Sequence, residues 1–256
     1  MLKCNGHSEL TERFDALAAA VQSPSCALSH LELNGCDWPE GRTLADLLGP
    51  LGSLGGRLRF LQLDDMRIGG AMPAEFFERC RRLKVFRMPQ CGVTGRIPST
   101  IGCLTELRAL SIQRNDWEGS VPEEIGNCAS LKTLVLHTNP RLGGALPASI
   151  GRLQQLWLCW TFSTAIDNVD ALAGCASLKQ FGAHKSGLTH FPALAPCTAL
   201  EMLYLFETMI QGEAPAWLAD LPALKNLVLP QNDGFSISPT LKEQLVVRGV
   251  EVKYQF

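Results

Sequence analysis

The chain has 256 residues, 46% of them hydrophobic and 19% charged, too apolar to stay disordered and enough for a sizeable core. Lys plus Arg number 23 and Asp plus Glu 25; the formal charge of −2 excludes a general attraction for nucleic acid or anionic lipid. No stretch supplies the ~18 uninterrupted apolar residues of a membrane helix, and the first residues lack the apolar segment of a secretory leader.

In chain order, Ser8–Gln22 reads as an amphipathic helix with Leu10, Phe14, Leu17, Ala18 and Val21 on one stripe, stopped by Pro24. From Leu28 onward a pattern Leu-x-x-Leu-x-Leu recurs, beginning again at Leu58, Leu83, Leu107, Leu131, Leu156, Leu178, Leu200 and Leu224. Successive intervals are 30, 25, 24, 24, 25, 22, 22 and 24 residues, and a degenerate copy starts at Val247. Within each copy the alternation predicts a short strand with one face buried and one facing solvent. A helix over Pro239–Arg248 and a strand over Val250–Tyr254 close the chain.

The ninth position of each copy is Cys36, Met66, Cys91, Asn115, Asn139, Thr164, Ser186, Thr208 and Asn232. A small polar side chain there can bond the backbone of the turn leaving the strand. Met66 breaks the rule and predicts a local defect. Downstream, Gly70-Ala-Met-Pro73, Gly95-Arg-Ile-Pro98, Gly119-Ser-Val-Pro122, Gly144-Ala-Leu-Pro147 and Gly212-Glu-Ala-Pro215 share one spacing. The copies at Leu156 and Leu178 lack this glycine, so an interrupted outer layer is expected across both.

The spacing is that of leucine-rich repeats, and the Gly-x-apolar-Pro signature resembles the plant-type repeats of plant receptor ectodomains and polygalacturonase-inhibiting proteins. The resemblance implies an α/β leucine-rich-repeat solenoid, a curved horseshoe. Its concave face is a parallel sheet; short helices, 3₁₀ turns and short strands cover the convex side. The expected organisation is a single domain over 1–256, with a helical cap over 1–27, nine repeats over 28–238 and a cap helix plus last strand over 239–256.

Ten cysteines are present without any Cys-x-x-Cys pair. Cys80, Cys128, Cys175 and Cys197 share a slot with Leu104, Leu153 and Leu221, so they read as core residues. Cys36 and Cys91 take the ninth position and Cys159 a core leucine position; Cys4, Cys26 and Cys103 are less determined. His137 and His184 sit at equivalent outward positions two strands apart, too far to share a metal, with Phe162 between them. No nucleophile elbow, phosphate loop or His-Glu-x-x-His is present. No catalytic residue, metal or cofactor is expected.

The outward strand positions carry the remaining information. They are polar in the first half of the chain, but in the second half Val135, Leu158, Trp160, Phe162, Met202, Tyr204 and Phe206 gather. Trp160 and Tyr204 flank Gly182 in one column, predicting a slot two strand spacings wide. Contiguous exposed apolar surface of this kind marks contact sites. The reading is a non-catalytic protein–protein interaction module binding a protein partner through its concave face. Trp160 and Tyr204 are anchors, Phe162, Phe206, Met202 and Leu158 the floor, and His184, Lys185 and Glu207 a polar rim. Neither nucleic acid, membrane insertion nor a disulfide-linked partner is expected. The absent leader, absent Asn-x-Ser/Thr sites and unpaired cysteines place the chain inside the cell, in the cytoplasm. The alternatives are an accessory subunit held in a large assembly by convex loops and termini, and an extracellular ligand-recognition domain.

Overall fold

The computed structural model describes residues 1–5, 9–36 and 38–255. Eleven parallel strands pair strictly in chain order. They are Leu2–Asn5, His30–Asn34, Phe60–Asp64, Val85–Arg87, Ala109–Ser111, Thr133–Val135, Leu158–Trp160, Gln180–Gly182, Met202–Tyr204, Asn226–Pro230 and Glu251–Gln255. The repeat sets the register: Leu31 pairs with Leu61, Leu61 with Phe86, Phe86 with Leu110, Leu110 with Leu134, and Leu134 with Cys159. All six are buried, so each coil's apolar face is closed by the next. The chain is a leucine-rich-repeat solenoid.

The first strand, Leu2–Asn5, was not legible as a strand, and it extends the sheet ahead of the helix Glu9–Gln22. Ser8, the expected helix start, lies outside the described residues, as do the side chains of Leu10 and Cys4. Phe14 packs edge-on against Trp38, with centroids 5.2 Å apart, and ties this helix to the first coil. The closing helix Pro239–Val247 is capped by Ser238, whose hydroxyl accepts from the Leu241 N–H. Among the described residues no helix is long and apolar enough to cross a membrane.

Polar ninth positions bind the coils. Asn115 Oδ1 accepts from the Cys91 and Val93 N–H groups at 2.9 and 3.1 Å, while its amide donates to the Met88, Ile112 and Gln113 carbonyls. Asn139 repeats the arrangement one coil on. At Met66 the side chain is buried, and the backbone takes left-handed φ at both Asp65 and Arg67; the next copy does the same at Gln90 and Gly92, with a glycine in the second place.

The Gly-x-apolar-Pro glycines turn the chain onto the convex side. Gly119, at φ 72°, is one of five such glycines, all left-handed, a region closed to most side chains. The convex strands Gly70–Ala71, Val93–Arg96, Asp116–Gly119, Asn139–Ala145 and Thr164–Asn168 form a second sheet. The interruption is therefore narrower than expected: the Leu156 copy adds a strand without the glycine, because Thr164 and Ile166 still point into the core. Among the described residues the first copy has no convex strand, its convex side being the helix Leu44–Gly52, and neither has the Leu178 copy. There Pro192 and Pro196 lack the N–H a ladder needs, and the ninth-position Ser186 hydroxyl has no partner. Phe191 fills the gap, edge-on to Trp217 and stacked on Phe235.

The cysteines behave as core residues. Cys80, Cys128, Cys175 and Cys197 are fully buried. Each thiol donates to a carbonyl one coil earlier, of Leu51, Ile101, Ile150 and Leu172. Burial pushes Cys80, Cys91, Cys128 and Cys175 up to about 12.

Candidate binding face

In the first eight copies the residue before the ninth position is left-handed: Gly35, Asp65, Gln90, Arg114, Thr138, Ser163, Lys185 and Glu207. For a non-glycine residue this costs about 1 kcal/mol. A backbone bond offsets the cost: the Thr138, Ser163 and Lys185 N–H groups donate to the carbonyls of Phe162, His184 and Phe206 in the following coil. Each bond fixes the backbone of the outward residue at the end of the next strand. One concave column is thereby aligned, running Asn34, Asp64, Pro89, Gln113, His137, Phe162, His184 and Phe206.

In the second half of that column the rings stack. His137 lies on Phe162, Phe162 on His184 and His184 on Phe206, with centroids 4.0, 4.1 and 4.2 Å apart and planes within 15° of parallel. Trp160, in the neighbouring column, tilts against both His137 and Phe162. Five rings thus form one surface. Burial holds His137 and His184 down to about 4, so both imidazoles are neutral at ordinary pH.

The structure brings most of the sequence-selected residues together but alters their roles. Leu158, Trp160, Phe162, Met202, Tyr204, Phe206 and Val135 are all half-buried on the concave side. The slot over Gly182 is not open. A Cβ on Gly182 would lie 3.7 Å from Trp160 Cδ1 and 3.9 Å from both Phe162 and His184, because the indole leans across the gap. His184 belongs to the ring stack rather than the rim. Lys185 and Glu207 pair with each other at 3.2 Å. Beyond Tyr204 lies a cavity of about 260 Å³ lined by Tyr204, Phe206, Asn226, Val228, Glu251 and Lys253. Lys253 pairs with Glu251 at 2.7 Å. The sequence reading missed these two and the part played by His137. Their signal was present, since Glu251 and Lys253 are in register with Asn226 and Val228.

No family model matches the chain. A segment of 139 residues is 31% identical to receptor-like protein 32 of Arabidopsis thaliana, covering 54% of this chain and 14% of that protein. The plant peptide hormone receptor RGFR1 in complex with RGF2 superposes with a TM-score of 0.76 at 24% identity, over 95% of this chain and 36% of the receptor. The ectodomain of the Arabidopsis receptor kinase HAESA, in complex with an IDA peptide hormone, gives 0.71 at 20% identity, over 99% and 40%. The repeats are plant-type leucine-rich repeats. The cytoplasmic placement is overturned, because the curated relative is a receptor-like protein and the fold is shared with receptor ectodomains, which are extracellular. The cysteine cue behind it does not discriminate, since thiols buried at a pKa of about 12 need no reducing compartment.

Proposed function

We propose that this chain is an extracellular, non-catalytic recognition module that binds a peptide or protein segment on the aromatic half of its concave face. The observation that carries the reading is the four-ring stack from His137 to Phe206 with Trp160 against it. Rings locked by one another and by backbone bonds lose little freedom on binding, so the face is preorganised. Trp160 and Tyr204 serve as anchors, Phe162, Phe206, Met202, Leu158 and Val135 as the apolar floor, and the Lys185–Glu207 and Lys253–Glu251 pairs as the polar rim. The solved receptors sharing the fold were captured with peptide hormones, which supports a polypeptide ligand.

The test is selection from a displayed peptide library, followed by affinity measurement of the selected peptides on Trp160→Ala, Tyr204→Ala and the convex control Arg96→Ala. Melts of each variant establish folding first. Truncating an anchor is expected to weaken binding about thirtyfold, as for an interface hot spot of roughly 2 kcal/mol, with the control unchanged. Equal affinity for all four proteins overturns the assignment of the face.

A further inference from the structure

The opposite half of the concave face holds a different arrangement. Three buried side-chain atoms there have no hydrogen-bond partner: Asn34 Oδ1, Asp64 Oδ1 and Arg87 Nε. Asn34 and Asp64 face each other across adjacent strands, about 4.8 Å apart in backbone spacing. Arg87 lies one strand further, in register with Gln62. Several other polar atoms of the cluster are already bonded. The Asn34 amide donates to Glu32, which pairs with Lys3, and the Gln62 amide donates to Asp64 Oδ2 at 2.7 Å. The neighbouring Asp65 carboxylate accepts from Gln90. Burial raises the Asp64 carboxyl above its ordinary range, against the pull of Arg87.

Buried polar groups in folded proteins are nearly always satisfied, and each exception is costly. The buried orphans, two acceptors and one donor on three successive coils, call for a ligand that brings both donors and an acceptor. A lysine side chain brings donors only, and a carboxylate acceptors only. A free peptide amino terminus brings three donors and a positive charge, with its own carbonyl oxygen roughly 3 Å away. We propose that this corner captures the amino terminus of a polypeptide partner, its ammonium on Asn34 and Asp64 and its first carbonyl on Arg87 Nε. All three residues keep some surface exposed, so a side-chain rotation of the kind common on binding turns the atoms outward. The proposal rests on the reading above only in that the partner is a polypeptide.

The test titrates isotope-labelled protein at pH 7 with glycylglycinamide and with its N-acetyl form. The Asp64 carboxyl carbon and the Arg87 Nε–H are followed by NMR, with the Trp160 indole N–H as reference. The free amine is expected to give saturating shifts at Asp64 and Arg87, and the acetylated form to bind at least about tenfold more weakly, a charge-assisted bond being lost. Asn34→Asp, which adds a second carboxylate, is expected to tighten binding, and Asp64→Asn, once shown to melt normally, to abolish the shifts. Equal response to both probes, or none, overturns the proposal. Neither probe carries an apolar side chain, so failure here leaves the aromatic-face reading standing, and that reading fails separately at Trp160.

Discussion

The imidazole of His184 lies on the face of Phe162, with centroids 4.1 Å apart and planes 15° from parallel. Burial, the largest cause, holds His184 down to about 4, and His137 on the other side of Phe162 likewise. In the unfolded chain both titrate near the ordinary 6.5. Between those values the unfolded state takes up protons that the native state refuses, so stability falls as pH drops from about 6.5 toward 4. The melting temperature is expected to decline across that window, and less steeply in His184→Phe, which keeps the stack but not the titration. Parallel curves for the two proteins would count against the assignment.

Thiol chemistry follows burial. Cys26 and Cys103 are half-buried, whereas Cys80, Cys91, Cys128, Cys159, Cys175 and Cys197 are buried. A maleimide reagent is expected to label the first two in the native protein and the six only after denaturation. Native labelling of the six at the rate of Cys26 would contradict the core assignment.

Coil-to-coil packing leaves no room for a Cβ at several glycines, Gly126 the tightest of them. A Cβ on Gly126 would lie 2.5 Å from the Ser149 Cβ and 2.6 Å from its carbonyl oxygen. Gly126→Ala is therefore expected to cost about 1–3 kcal/mol through overpacking. Gly182→Ala, whose Cβ meets neighbours at 3.7–3.9 Å, should change the denaturant midpoint little.

The ninth-position ladder predicts a gradient. Asn115→Ala orphans several buried backbone groups at about 1–3 kcal/mol each. Thr208→Val removes a single 2.7 Å bond to the Leu205 carbonyl and is expected to cost about 1 kcal/mol. Chemical denaturation of both variants reads the difference directly.

Much of the concave face was legible from residue number alone. Position within the repeat told that Leu158, Trp160, Phe162, Met202, Tyr204 and Phe206 point away from the core, since alternate strand residues face opposite sides. It did not tell that the Trp160 indole leans over Gly182, or that His137 and His184 interleave with phenylalanines. Those facts depend on rotamers chosen against neighbours 20–25 positions distant, for which spacing carries no information. The convex layer shows the same limit: the missing glycine at the Leu156 copy suggested a break, yet Thr164 and Ile166 hold a strand there.

What the sequence by itself determined is the solenoid, because a repeat's register is one-dimensional and each coil needs only its nearest neighbour to bury its leucines. The tertiary structure alone decided which outward side chains lock together, which polar atoms at Asn34, Asp64 and Arg87 are left without partners, and where the last strand brings Glu251 and Lys253 beside Tyr204. These are contacts between coils, and they exist only once side chains have settled against residues a full repeat away.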